Sequence, residues 1–412
     1  MSEVTRKIGL SLGADICWPI AFEEILAQAR PRVVVGKDVI SFACERLTLE
    51  PFDLQAPCKY DLVVDRLTHW FALQREWIKK AVLLDRLYVF NNPWSVQSHE
   101  KHSTYCAMLA LGMPIPRTVM VPQKNYEPKP DLEFTLKAYA RLFDLAAVGD
   151  QLGYPLFMKP YDGGGWQGVS KLDDAQMLRD AYERSERWLM HVQQAVVGYD
   201  LFVRAVGVGP QVRLMQYDAA QPLHGRYLPR RDVCSADDAQ VMVDTCLTIN
   251  AFFGWDFNSC EALRKDGVLH PIDFANPCPD SQVNSIHYHW PWYVLSILKW
   301  ALFVAATGRP MRKNLDFAPF YQIAGKQLPY RDKLRRYAEV ARAHFEAERF
   351  AEFCDRHLRG VDQAAWQWFG SERCRAAIRN KVANVYPAHE QDEFTEKFWQ
   401  LVQQGCRAER GA

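Results

Sequence analysis

The run W-P-W-Y-V-L-S-I-L-K-W-A-L-F-V-A-A, Trp290 to Ala306, leaves two structures open, a membrane span or a helix buried in a large core. It falls short of the roughly 20 apolar residues that a bilayer demands and carries Lys299 in its middle. A buried core helix is therefore expected, with no membrane partner. A core that wraps a helix on all sides needs a long chain, and 412 residues are enough for two or three packed units. Hydrophobic residues at 49% and charged ones at 24% fit a soluble globular protein, and a formal net charge of +1 gives no reason to expect a nucleic-acid partner. The 11 cysteines are odd in number and contain no C-x-x-C pair. That argues against a disulfide framework or a zinc knuckle and points to a reducing cytoplasm. The opening M-S-E-V-T-R-K-I-G-L-S-L-G lacks the charged-then-apolar order of a signal peptide.

The first third alternates short strands with amphipathic helices. Strands are expected at Lys7 to Leu12, Arg32 to Val35, Asp61 to Val64 and Tyr88 to Phe90, with helices near Phe22 to Ala29 and Arg75 to Leu84. This order predicts an α/β layer with a parallel sheet over residues 1–113. Helical spacing from His99 to Leu111 stops at Gly112. A second part is expected from 114 to 289, in two lobes split near 195, with strands at Leu156 to Lys159, His191 to Gln194, Asp200 to Val208, Gln211 to Tyr217, Phe257 to Leu263 and Val268 to Phe274. Asp266-Gly267 favours a tight reversal between the last two. A helical extension is expected over 290–412.

Two segments carry the chemistry. In Y-P-L-F-M-K-P-Y-D-G-G-G-W-Q-G-V, Lys159 ends an apolar strand and a glycine-rich loop follows. Gly163, Gly164, Gly165 and Gly168 let backbone N–H groups approach an anion closely, and a lysine ammonium is a compact charge that reaches phosphate oxygens. The pattern is not the Walker one. Trp166 is an unusual bulky presence in such a loop. In C-E-A-L-R-K-D-G-V-L-H-P-I-D-F-A-N-P, Glu261 lies on one strand of a hairpin, with Asp273 and Asn276 on the other. Such hard oxygen donors suit magnesium, which takes one or two carboxylates together with phosphate oxygens and water.

The order of these features resembles the ATP-grasp superfamily, which includes D-alanine–D-alanine ligase, glutathione synthetase and the ribosomal-protein glutamate ligases. The resemblance covers Asp61 to Asp280 and rests on four ordered motifs. E-K-H-S-T-Y-C-A-M-L-A-L-G-M-P-I-P-R-T looks like the family's lysine-led helix ending in G-x-P-x-P-x-T, which implies that Lys101 lies near the nucleotide phosphates. Lys159 and its loop form the second motif. V-Q-Q-A-V-V-G-Y-D resembles the hinge that reads adenine, which implies Gln193, Gln194 and Val196 against the base and Asp200 on the ribose hydroxyls. Gln193 stands where many members have glutamate. The fourth motif implies Glu261, Asp273 and Asn276 as magnesium ligands. Asp273 and Asn276 are three residues apart, where most members space them by two, and three apart in a regular strand lie on opposite faces.

The resemblance implies an α+β ATP-grasp fold and a ligase that uses ATP and Mg2+ to join a carboxylate to an amine through an acyl phosphate, releasing ADP and phosphate. Lys159 is one expected catalytic residue. The family's oxyanion arginine, two residues before the metal acid in D-alanine ligases, is replaced by Ser259. Arg204, Arg213, Arg226 and Arg230 are candidates for its role, with Arg213 the first choice. Expected partners are small-molecule or peptide substrates, and a homo-oligomer is compatible with the sequence. An ATP-grasp phosphotransferase, a carboxylating enzyme or an inactive nucleotide-binding scaffold are the alternatives. His287 and His289 are expected to face substrate or to pack, and Cys278 to be a small residue in a tight loop.

Overall fold

The computed structural model describes residues 2–48, 50–68, 70–95, 100–164 and 166–411. Packing groups the chain into two units that are not continuous in sequence. One comprises Met1–Gln97, Phe202–Cys260 and Pro277–Ala412, and the other Ser98–Leu201 and Glu261–Asn276. The boundaries expected at 114 and 290 each fall inside a unit.

The first unit opens with β1 (Ser2–Ser11), α1 (Cys17–Ala29), β2 (Val33–Val35), β3 (Asp38–Arg46), β4 (Leu62–Asp65), α2 (Ala72–Leu84) and β5 (Tyr88–Phe90). The strands form one sheet in the order β2-β3-β1-β4-β5. The β1, β3, β4 and β5 strands run parallel, with Ile8 opposite both Cys44 and Leu62, and β2 adds an antiparallel edge. The consecutive buried residues Leu62, Val63 and Val64 are what a parallel strand covered on both faces requires.

The second unit contains α3 (Lys101–Ala110), β6 (Thr118–Val121), α4 (Leu132–Tyr139), α5 (Leu145–Leu152), β7 (Leu156–Pro160), β8 (Ser170–Leu172), α6 (Ala175–Ser185) and β9 (Met190–Gln194). His99, where α3 was expected to begin, lies outside the described residues. The four strands form an antiparallel sheet in the order β6-β9-β7-β8. Asp144 and Asp174 cap α5 and α6 by accepting from backbone N–H groups of the first turn.

In the first unit, β10 (Leu201–Val208) pairs antiparallel with β11 (Gln211–Gln216), and α7 (Ala236–Phe253) packs on β11. Next come β12 (Phe257–Lys265), which passes into the second unit at Glu261, and β13 (Val268–Asn276) of the second unit, joined by Asp266-Gly267. Both turn residues have positive φ, +50° and +73°, as a two-residue hairpin turn demands. The rest is helical and belongs to the first unit: α8 (Val283–Ile286), α9 (Trp290–Thr307), α10 (Ala318–Ala324), α11 (Tyr330–His344), α12 (Ala347–His357), α13 (Arg359–Phe369), α14 (Glu372–Ala383) and α15 (Gln391–Arg410).

The apolar run is α9, buried around nearly its whole circumference against β1, β4, α1, α12, α13 and α15. Its one charge is met inside the fold, where Lys299 Nζ lies 2.6 Å from Asp362 Oδ1 on α13. Among the described residues no helix is long and apolar enough to cross a membrane.

Candidate active site

Strand register divides the second unit's sheet into two chemically different faces. Side chains alternate along a strand, so Leu156 and Met158 of β7 share a face with Met190 and Val192 of β9. These pack with Val121, Leu152, Leu172, Leu178 and Ala181 into the apolar core beneath α5 and α6. The intervening residues face the other way. Lys159 stands opposite His191, and Gln193 stands opposite Phe157 on one side and Thr118 on the other. Register alone thus places Lys159, His191, Gln193 and Thr118 on one face.

The ammonium of Lys159, 7% exposed, donates to Tyr105 Oη at 2.7 Å, Gln193 Oε1 at 2.8 Å and the Ile272 carbonyl at 3.0 Å. Burial brings its pKa down to about 7, with Asp273 pulling it up and Lys101 pushing it further down. Burial likewise holds His191 at about 3, helped by Lys159, His102 and Lys101. The His191 ring is therefore neutral, stacked on His102 with centroids 5.6 Å apart.

Lys101 is the first residue of α3 and is also buried. Its Nζ donates to the Gly163 carbonyl at 2.8 Å and lies 3.6 Å from Asp273 Oδ2. The glycine loop, Lys101 and the carboxylate of β13 are thereby linked. Gly163 has φ +94° with open space where a Cβ would stand, and Gly164 is equally unobstructed. Gly168 is required for another reason, since a Cβ there would sit 2.3 Å from the Trp188 ring. Gly165 lies outside the described residues. Trp166 is exposed, at φ +63°.

Asp273 and Asn276 come together despite their spacing, with Asn276 Nδ2 3.4 Å from Asp273 Oδ1. Two consecutive buried residues, Phe274 and Ala275, interrupt the alternation between them. Glu261 is buried at the middle of β12. Among the described residues no group of three or more His, Cys, Asp or Glu side chains converges as a metal cage. The oxygens of Asp273 and Asn276 fit magnesium in the manner that leaves most of its coordination to phosphate and water.

The hinge residues are placed as follows. Gln193 is buried and both ends of its amide are engaged, with Oε1 on Lys159 and Nε2 on Thr118 Oγ1 at 2.7 Å. Gln194 is exposed and Val196 half-buried. Asp200 is exposed, and the Arg264 guanidinium grips its carboxylate through two bonds of 2.9 Å that hold its pKa below the usual carboxylate range. Sequence reasoning gave no role to Tyr105, Thr118 or His191. Tyr105 was reachable, being one helical turn after Lys101 and so on its face of α3.

In the first unit, Arg213 pairs with Glu409 of α15 at 2.9 Å and lies over the Trp292 ring. Its charge ties β11 to the last helix. Arg204 lies over the Tyr217 and Tyr227 rings, Arg226 donates to the Gln221 carbonyl and Arg230 to the Gln216 side chain. His287 and His289 are buried and meet the backbone carbonyls of His224 and Leu228 through Nε2, each at 3.1 Å. A carbonyl only accepts, so both Nε2 atoms carry the proton, and both rings act as internal ties. A hollow of about 600 Å3 is lined by Leu67, Trp70 and Phe71, with the buried Asp15–Arg66 pair and Cys278 also in its wall. Burial pushes the Cys278 thiol up to about 12, which removes it as a nucleophile.

No protein-family model matches the chain. The structure of a RimK-domain ATP-grasp protein from Sphaerobacter thermophilus superposes with a TM-score of 0.50 at 13% identity, over 72% of this chain and 99% of that one. The chain has the ATP-grasp fold. A D-alanine–D-alanine ligase from Bacillus anthracis, solved with ATP, is also similar, with a TM-score of 0.48 at 13% identity over 73% of this chain and 99% of that one. In sequence, D-alanine–D-alanine ligase A of Chromobacterium violaceum is 29% identical over 154 residues, 35% of this chain. The match spans 40% of that curated relative's length. Within the ATP-grasp fold described here, Lys101, Lys159, Asp273 and Asn276 all belong to the second unit.

Proposed function

We propose that the protein is an ATP-dependent ligase that joins a carboxylate to an amine through an acyl phosphate, releasing ADP and phosphate. The observation that carries this reading is the pair of buried ammonium groups, Lys101 and Lys159, gathered with Asp273 at a glycine-bearing loop. Buried cations are costly unless an anion compensates them. A triphosphate would compensate both, and the open backbone at Gly163 and Gly164 leaves room for its oxygens. The ATP-grasp likeness and the similarity to a D-alanine–D-alanine ligase support the same chemistry.

In this reading Lys101 and Lys159 hold the phosphates and offset the charge that gathers on the transferring oxygens. Asp273 and Asn276 would hold magnesium, which draws charge from the phosphoryl oxygens when bound. A substrate carboxylate oxygen attacks the γ-phosphorus and ADP departs. An amine nitrogen then attacks the acyl carbon and phosphate departs.

The test is incubation with ATP, magnesium and panels of acids and amines, with product analysis. ADP and orthophosphate formed only when both acid and amine are present is the expected result. AMP and pyrophosphate would replace this reading by adenylation, and a phosphorylated acceptor would replace it by phosphotransfer.

A further inference from the structure

We infer that Gln193 and Thr118 are positioning residues whose hydrogen bonds aim the Lys159 ammonium. This rests on the proposed nucleotide reading and concerns how Lys159 is held for it. The polarity of the network follows from its outer ends. Thr118 Oγ1 donates its one proton to the Pro116 carbonyl at 2.8 Å, so towards Gln193 it can only accept. The amide nitrogen of Gln193 must then face Thr118, and the amide oxygen must face Lys159, 2.8 Å away. On the far side Tyr105 Oη donates to the Ile272 carbonyl at 2.5 Å and so also accepts from Lys159.

An ammonium has three N–H donors, and Tyr105, Gln193 and Ile272 supply three acceptors, so the head group is fixed in direction. Its acceptors are a phenol, an amide and a peptide carbonyl, none of which neutralises it. The charge stays available to an anion. A flipped amide would point N–H groups at an ammonium that has nothing to accept with, and its oxygen at a Thr118 hydroxyl whose proton is already given to Pro116, so Thr118 adds a second lock on the orientation that Lys159 requires. Because both ends of the Gln193 side chain are spent in this way, it holds the lysine and does not read a base edge.

A double-mutant cycle tests this, with calorimetric ATP affinity in the presence of magnesium as the readout. In the native background Thr118→Val removes the acceptor that orients the amide, and ATP binding weakens about tenfold. Gln193→Glu puts an acceptor at both ends of the side chain, so in that background Thr118→Val changes affinity less than twofold. Thr118→Ser keeps the hydroxyl and rescues binding. A Thr118→Val loss of equal size in both backgrounds overturns the inference, because it marks Thr118 as packing alone. No loss in the native background, or no rescue by serine, overturns it as well. Melting temperatures of all variants separate lost affinity from lost fold. A native protein that binds no ATP would instead bring down the nucleotide reading beneath it.

Discussion

An ammonium group in water keeps its proton to a pH of about 10.4, whereas burial brings Lys159 to about 7. The cation is present below that value and lost above it. On the proposed ligase reading, kcat/KM for ATP is therefore expected to fall as pH rises through about 7, and Lys159→Arg to flatten that limb because arginine stays charged. A pH–rate profile of both proteins checks this. Asp273→Asn removes the carboxylate beside Lys101 and is expected to lower turnover by about two orders of magnitude while the melting temperature stays close to native. Full activity would exclude Asp273 from the chemistry. The gathering of Lys101, Lys159, Gly163 and Asp273 was expected from the order of the motifs that carry the resemblance, and the structure brings these residues together. The engagement of Gln193 was not legible, since it depends on β6, β7 and β9 meeting in one register, Thr118 opposite Gln193 and Lys159 opposite His191. No local window of sequence contains that information. The commitment of Arg213 to Glu409 was hidden in the same way, by a partner far along the chain.

Elements were legible where they carry a local signal. The parallel strands of the first third show as short apolar runs between helical periods, and the β12–β13 hairpin shows as Asp-Gly. At Gly267 nothing lies within 4 Å of an added Cβ, so Gly267→Ala costs only backbone strain. A loss of about 1 kcal/mol is expected in urea unfolding. The helix α7 is the instructive omission. Met242 and every residue from Asp244 to Phe253 are buried, so no 3.6-residue polar stripe marks it. Its ends were the available sign: Ser235 accepts from Asp238 N–H, Asp237 and Asp238 fill the first turn, and Gly254 closes it at φ +65°. The half-exposed strand β3 and the short strand β8 lack a long apolar run, and their only local signs are the positive-φ glycines Gly36 and Gly168 shortly before them. In α9 the single charge argued against a membrane span, and the helix is buried within the fold with Lys299 paired to Asp362. Asp362→Ala, which strips Lys299 of its partner, is expected to cost about 1 kcal/mol in the same assay.

For the first unit, the buried Asp256 controls how stability responds to acid. Its carboxylate accepts from Tyr88 Oη and Trp300 Nε1, both at 2.9 Å, and burial raises its pKa to about 6 although Arg309 pulls the other way. The unfolded chain releases this proton near pH 3.8, so between about 4 and 6 the folded state binds more protons than the unfolded one. Stability then falls as pH rises across that window, by up to about 3 kcal/mol. Asp256→Asn is expected to flatten that segment in pH-dependent urea melts.

The polypeptide leaves the second unit at Leu201 and returns to it at Glu261, and the Asp200 N–H bonds the Arg264 carbonyl at 3.0 Å. Exit and re-entry are therefore neighbours, so the intervening 202–260 amounts to an insertion stitched into a smaller protein. A gene truncated to 98–201 would strip Lys159 of the Ile272 carbonyl and Lys101 of Asp273. A graft that splices 201 to 261 through a short Gly/Ser bridge would restore both. Exchanging the second unit between chains of this kind would require two separated stretches of sequence to move together.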